Sequence, residues 1–391
     1  MSFALENKTV YILSTERWGV MKVSKHHYAL ELAERGNKVF FIEPPDPNAK
    51  GITIKPLEEM PAISLVRFKP LYRGERFLPA PLYRQLIKIQ IRRLIKAIGV
   101  KPDVLWSFYS YHYQNLSWFG APVNLLHMMD ISSRSFLPPE ARTANLCFGV
   151  TESLVKFLEP SGKPVYFINH GLSKRFIANN LPGSGVASPE TAAPTTANRP
   201  ITVGYVGNLM MGAIDRPTMT KVIKEHPELR FVFWGQYQAG QSSLDAYMAP
   251  ESLKFIEDLQ AAPNVELRGP VTPEVLSRQI KEADCFWLCY KKEKNGIWEG
   301  SNSHKLLEYL ITGKPVITHL VETYEQYEDI LYMTQEWHNE SYPALFSRIV
   351  NDLGHYASPQ LRKKRMEMAL ANSYENHIRF IEARIAEKII H

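Results

Sequence analysis

The feature that most constrains the fold is an alternation, run through twice, of short apolar runs with longer helical stretches. Residues 11–14 (YILS), 39–43 (VFFIE), 104–108 (VLWSF), 124–130 (NLLHMMD) and 146–151 (LCFGVT) are almost continuously apolar. Such runs mark strands of a parallel sheet, because helices cover both of its faces. Between the first two, residues 24–35 place Tyr28, Leu32 and Ala33 on one stripe, and Gly36 is the expected stop. The alternation restarts at 201–206 and continues through 231–234, 265–267, 285–289 and 316–318. Thr272-Pro273-Glu274 is expected to open an intervening helix, with a threonine cap and a proline in the first turn. The pattern predicts a doubly wound α/β architecture, built twice.

The two halves are separated by residues 178–200, rich in Pro, Ala, Ser, Thr and Asn and poor in large apolar residues. Such a stretch cannot bury a core. The expected division of the 391 residues is therefore an N-terminal Rossmann-like domain over 1–177 and a flexible linker over 178–200. A second Rossmann-like domain over 201–357 and a C-terminal helical segment over 358–391 complete it. Ligands of this architecture bind beyond the carboxyl ends of the strands, which predicts a cleft between the two sheets.

A net charge of +6 permits contact with phosphates or anionic lipid without demanding nucleic acid. No aromatic-interleaved RNA motif or helix-turn-helix signature accompanies it. Cys147, Cys285 and Cys289 each lie in an apolar run and have neither disulfide-framework nor zinc spacing. No leader-like N-terminus or spanning apolar run is visible, so a cytoplasmic location is expected. Residues 67–101 are strongly basic, and within them 82–98 (LYRQLIKIQIRRLIKAI) form a cationic amphipathic pattern. That pattern suits an anionic membrane surface, and equally an outer helix with its cations in water.

The most informative segment is 298–319 (WEGSNSHKLLEYLITGKPVITH). A helix is expected from Ser301 or Asn302 to about Thr312, ended by Gly313. Leu306, Leu307 and Leu310 would form its apolar stripe, and Asn302, Lys305 and Glu308 a polar one. From Asn302 to Glu308 such a helix rises roughly 9 Å, about the reach of a nucleotide from diphosphate to ribose. Lys305 and the helix-start N–H groups suit phosphate oxygens, and Glu308 suits ribose hydroxyls. Taken alone, KLLEYL also describes an amphipathic helix with a solvated charged face.

The run KLLEYLITGKPVITH resembles the donor-site signature of GT-B glycosyltransferases, especially bacterial surface-polysaccharide enzymes. Other segments are similar in order: VGYVGNLMMGAID at 203–215, HPELRFVFWG at 226–235, PNVELRG at 263–269, and 150–176 with His170-Gly171 where Asn-Gly is usual. Residues 18–45, containing SKHHYALELAERG and FFIEPP, resemble the opening of polysaccharide transferases of this group. The resemblance implies two facing Rossmann-like domains, with the donor nucleotide-sugar bound by the C-terminal one. It places Gly207 and Asn208 at the donor diphosphate, Tyr290 beside the donor, and Asn302, Ser303, Lys305, Leu306 and Glu308 along it. The acceptor, a saccharide or lipid-linked saccharide, falls to the N-domain, near His26, His27 and His127. The C-terminal helix is expected to cross back to that domain.

Two departures bear on chemistry. The second glutamate common in retaining members is replaced by Gly300, with Glu299 one residue away, and Arg216 and Lys221 are not in register with the family's diphosphate cations. The segment 125–132 (LLHMMDIS) resembles the strand-end aspartate of inverting exopolysaccharide glucuronosyltransferases, which makes Asp130 the candidate base. Its ordinary pKa of ~3.9 keeps an aspartate ionised at neutral pH. A strand-end hydrogen-bonded aspartate is the plain alternative, as a core position is for His127 and a helix-start position for His26 and His27. No cofactor or metal is expected, since no Asp-x-Asp pair sits in a plausible loop and Lys305 can serve the leaving diphosphate. The alternative function is a nucleotide-sugar-binding or scaffold protein that has lost catalysis.

Overall fold

A computed structural model describes residues 3–19, 22–71, 78–130, 136–181, 199–238, 250–291, 302–336 and 338–389. Most of the expected linker, together with Arg73, Arg76, Glu299, Gly300 and Ser301, lies outside the described residues. The chain divides into two compact units. Unit 1 comprises Met1–Asn169 and Tyr374–His391, and unit 2 is His170–Ser373.

In unit 1 the elements run β1 (Thr9–Leu13), α1 (Ser24–Glu34), β2 (Lys38–Ile42), β3 (Ile52–Leu57), β4 (Met60–Phe68), α2 (Ala80–Ile98), β5 (Val104–Ser107), β6 (Val123–Met128), β7 (Leu146–Gly149), α3 (Glu152–Leu158) and β8 (Val165–Phe167). Among the described residues these strands form one sheet in the order β3-β4-β2-β1-β5-β6-β7-β8. The strands pair in parallel except β3, which is antiparallel to β4. The five expected strands are β1, β2, β5, β6 and β7, and their burial, continuous in all but β2, follows from apolar layers on both faces. The β3–β4 hairpin was not anticipated. β3 alternates half-buried and exposed positions at the sheet edge, where Pro56 is tolerated because one side of the strand needs no partner.

Unit 2 contains α4 (Lys174–Asn180), β9 (Thr202–Val206), α5 (Arg216–Glu225), β10 (Arg230–Trp234), α6 (Pro250–Ala261), β11 (Val265–Gly269), α7 (Pro273–Gln279), β12 (Cys285–Leu288), α8 (Lys305–Leu310), β13 (Val316–Thr318), β14 (Tyr332–Met333), α9 (Tyr342–Asn351), α10 (Leu353–Tyr356) and α11 (Pro359–Ala371). Its parallel sheet has the order β11-β10-β9-β12-β13-β14. α7 opens as expected, the Thr272 hydroxyl accepting the Val275 N–H. The three cysteines are free and buried.

The chain leaves unit 1 between Asn169 and His170 rather than at 177. α4 belongs to unit 2, because Phe176 joins its core and Asn179 donates to the Ser277 hydroxyl at 2.6 Å. α11 also stays in unit 2. There the buried Arg365 guanidinium donates to the carbonyls of Gly313, Ile330 and Tyr356 and to the Tyr332 hydroxyl. Only α12 (Tyr374–Ile389) returns, placing Tyr374, Ile378, Ile381 and Ile385 in a core layer of unit 1.

α2 realises the basic amphipathic stretch. It starts beside Pro79 and Pro81 and ends at Gly99, whose φ of 81° suits a helix stop. Tyr83, Ile87, Ile91 and Leu94 face the core, while Arg84, Arg92, Arg93 and Lys96 are exposed. Leu82 and Ile89 are exposed too, at 48% and 37%. Among the described residues no helix is long and apolar enough to cross a membrane.

Candidate functional site

In unit 2 the loops that follow β9, β10 and β12 leave the same edge of the sheet. β9 delivers Gly207, and the Gly207 N–H donates to the Trp234 carbonyl at 2.8 Å. β10 delivers Gly235, at φ 140°, packed so closely that a β-carbon there would stand 2.0 Å from the Gly207 carbonyl oxygen. Only glycine fits both the dihedral and the space. At Gly207 itself a β-carbon would stand 3.0 Å from Lys305 Cε and 3.1 Å from the Tyr205 hydroxyl. The bare backbone therefore lets the Lys305 side chain lie across the loop.

The loop is braced from three sides. The Tyr309 hydroxyl accepts the Val206 N–H at 2.7 Å, and its ring stacks on Phe286. Arg216, buried at the start of α5, donates to the Met211 carbonyl at 2.8 Å and to the Ser252 hydroxyl at 2.7 Å. The Asn208 side-chain oxygen accepts the Met210 N–H at 2.8 Å, so it shapes its own turn. Arg216 and Tyr309 were not recognised from the sequence as loop braces, because their partners lie far off in the chain. Lys221 is exposed and pairs with Glu225.

α8 is shorter than expected. It begins at Lys305 with His304 at the cap, and Asn302 and Ser303 precede it in non-helical backbone. His170 meets this segment, its Nε2–H donating to the Asn302 carbonyl at 2.7 Å. Burial pushes that imidazole down to about 4, so it stays neutral. Asn302 is thus not on the Lys305–Glu308 face, and the helical rise expected from it to Glu308 does not apply. Leu306 is fully buried and contributes to the core rather than to a ligand surface. Lys305 and Glu308, three residues apart, do share a face. Glu308 is half-buried, and desolvation pushes its carboxyl up to about 7 against the opposing pull of Lys305. No described residue hydrogen-bonds its carboxylate.

Tyr290, just past β12, is buried and accepts a hydrogen bond from Lys305 Nζ at 3.3 Å. Asn339 holds it in place, donating to the Tyr290 carbonyl and to the Asp215 carboxylate, both at 2.9 Å. Lys305, Gly207 and Tyr290 thus come together, with Glu308 beside them. An open hollow of ≈ 400 Å³ lined by Pro200, Leu229 and Asn264 lies at the opposite, amino edge of the sheet.

In unit 1 Asp130 follows β6, at the carboxyl edge of that sheet. Its side chain is open to solvent on one side, while the protein around it raises its pKa by desolvation, opposed by Lys25. Lys25 is buried in the first turn of α1, paired with Glu16 and donating to the Thr15 hydroxyl at 2.5 Å. Desolvation brings its ammonium down to about 8, with Asp130 pulling the other way.

The histidines divide differently from expectation. His26 is buried with both ring nitrogens engaged by backbone, Nδ1 accepting from the Val23 N–H at 3.1 Å and Nε2–H donating to the Arg17 carbonyl at 3.2 Å. Desolvation lowers it to about 3, and Phe41 stacks on it. It braces the loop after β1 and has no nitrogen left for a substrate. Glu43, from the FFIEPP run, braces the same loop by accepting the Trp18 N–H at 2.9 Å. His127 is fully buried among Tyr28, Trp106, Phe108 and Phe148, a core position. His27 is half-exposed and stacks on Tyr374.

No protein-family model and no curated protein sequence matches the chain. Solved structures do match, over nearly its whole length. A sucrose-phosphate synthase from Thermosynechococcus elongatus superposes with a TM-score of 0.66 at 14% identity, over 98% of this chain and 99% of that one. HepE from Anabaena, in complex with UDP and glucose, gives 0.62 at 14% identity with the same coverage. A UDP-forming trehalose-phosphate synthase from Burkholderia xenovorans gives 0.66 at 9% identity, again over 98% and 99%. The architecture is therefore the GT-B fold, two Rossmann-like units in one chain.

Proposed function

We propose that the protein is a glycosyltransferase that moves a sugar from a nucleotide-sugar, bound by unit 2, to a saccharide or lipid-linked acceptor. The observation that carries this reading is the convergence of Gly207 and Lys305, with Glu308 on the same helix face, at the carboxyl edge of the unit 2 sheet. Close backbone and a cation suit a diphosphate, and a carboxylate three residues on suits ribose hydroxyls. HepE was solved with UDP and the Burkholderia enzyme is described as UDP-forming, so a UDP-linked donor is the one to test first.

In the proposed reaction the Asp130 carboxylate takes the proton of the acceptor hydroxyl while that oxygen bonds to the anomeric carbon. The bond from the anomeric carbon to the diphosphate breaks, and its electron pair leaves on the phosphate oxygen. Desolvation, which raises the Asp130 pKa, makes it a stronger base, and Lys25 keeps it ionised. Lys305 stabilises the departing charge without a metal. The exposed face of α2, with Arg92, Arg93, Lys96, Leu82 and Ile89, fits an anionic membrane surface on which a lipid-linked acceptor resides.

Calorimetric titration with a panel of nucleotide-sugars, followed by product analysis, tests the reading. Glu308→Ala is expected to weaken donor binding. Asp130→Asn is expected to keep binding and lose turnover by about 10²–10⁴-fold. Donor binding without transfer or hydrolysis in the native protein would identify a scaffold, and unchanged turnover in both variants would refute the site.

A further inference from the structure

Resting on the nucleotide-sugar reading, we propose that Tyr290 is a second hydrogen-bond donor to the diphosphate beside Lys305, and that Tyr205 behind it is the positioning residue. Arg216, the arginine that follows the glycine loop, uses its guanidinium to hold the Met210 and Met211 carbonyls and Ser252. It braces the loop from behind. The ammonium of Lys305, by contrast, pairs with no carboxylate among the described residues and donates to the Tyr290 hydroxyl.

That contact has a direction. An ammonium has only donors, so the Tyr290 oxygen must accept, and the phenol proton remains to be given elsewhere. The second observation is Tyr205. Its side chain is fully buried, its hydroxyl lies 3.1 Å from the position of a β-carbon on Gly207, and no hydrogen bond of good geometry reaches that oxygen from the described residues. A buried hydroxyl needs a polar neighbour, and the neighbour of this one is the Tyr290 hydroxyl. Tyr290 is close enough to Tyr205 to act on its hydroxyl, Tyr290 meets the Lys305 ammonium, and Tyr205 lies against Gly207. A phosphate oxygen received by Lys305 and the Tyr290 phenol completes the set, with Tyr205 fixing the Tyr290 ring from below. The neutral Tyr290 phenol thereby adds a polar donor beside the Lys305 ammonium, and it helps to hold the charge that builds on the phosphate as the sugar departs.

The test compares UDP with uridine by calorimetry on the full chain, for the native protein, Tyr290→Phe and Tyr205→Phe. Each substitution removes one oxygen and preserves ring volume. Tyr290→Phe is expected to weaken UDP about tenfold and Tyr205→Phe about threefold, with uridine affinity within twofold of native in both. The uridine arm shows that the variants are folded and the nucleoside site intact. Equal losses for UDP and uridine would mean a purely structural role, and unchanged UDP affinity would remove the phenols from the site. Either result overturns the inference and leaves the nucleotide-sugar reading standing. If the native protein binds neither UDP nor the other nucleoside diphosphates, both fall together.

Discussion

Lys305 Cε lies 3.0 Å from the point where a β-carbon on Gly207 would stand. The α8 lysine and the glycine loop are thus one feature, the absence of a side chain at 207 being what lets the lysine cross the loop.

Gly207→Ala is accordingly expected to act twice. The backbone at 207, at φ 156°, disfavours any side chain, and the new methyl would push Lys305 aside. A stability loss of about 1–3 kcal/mol is expected, together with a drop in nucleotide affinity of at least about tenfold, the equivalent of roughly 1.4 kcal/mol. Thermal denaturation and calorimetry read the two effects separately.

Glu308 sets a pH dependence. Its carboxyl is raised to about 7, and only the ionised form accepts hydrogen bonds from both ribose hydroxyls. Donor affinity is therefore expected to rise between about pH 6 and 8 and then level, and Glu308→Gln to flatten the profile. Stability runs the other way. The folded state holds this proton more tightly than the unfolded chain, so the contribution is full below the ordinary glutamate range and is lost as pH rises through about 7. Glu308→Gln should thus gain in relative melting temperature at pH 8.

Metal dependence separates two ways of neutralising the leaving diphosphate. With Lys305 in that role, turnover is expected to change less than about twofold on addition of EDTA, whereas a metal-bound diphosphate would make the chelator abolish it. Initial rates with and without chelator decide between them.

The cationic face of α2 is tested by charge reversal. Arg92→Glu with Arg93→Glu and Lys96→Glu is expected to abolish cosedimentation with vesicles containing phosphatidylserine, at about 1 kcal/mol per cation. Turnover on a water-soluble acceptor should stay the same. Equal sedimentation of native and variant would assign those cations to water alone.

The parts of this structure legible in the sequence are those written locally. β1, β2, β5, β6 and β7 announce themselves because each is buried on both faces, and Lys305 and Glu308 because a spacing of three is a helix face. β3 escaped notice because it is a half-exposed edge strand carrying Pro56, and β14 because it has only two residues. The roles of Tyr205, Tyr309, Arg216 and Gly235 were hidden for another reason. Each acts on a segment reached only through strand order, as when Tyr309 of α8 closes the end of β9. The composition change at 178–200 was real but misleading as a boundary, since the chain had already entered unit 2 at His170 and packed Phe176 there. His26 looked available because a sequence does not show that Val23 and Arg17 occupy both ring nitrogens.

The return of α12 has a consequence for the order of assembly. Unit 2 is one uninterrupted stretch, His170–Ser373, whereas unit 1 is written in two pieces at opposite ends of the chain. Tyr374, Ile378, Ile381 and Ile385, each worth roughly 1.5–3 kcal/mol if fully buried, reach the unit 1 core only with α12, which is made after the whole of unit 2. On a ribosome unit 1 is therefore begun before unit 2 and completed after it, and until then its uncovered apolar layer is a surface for chaperones to hold.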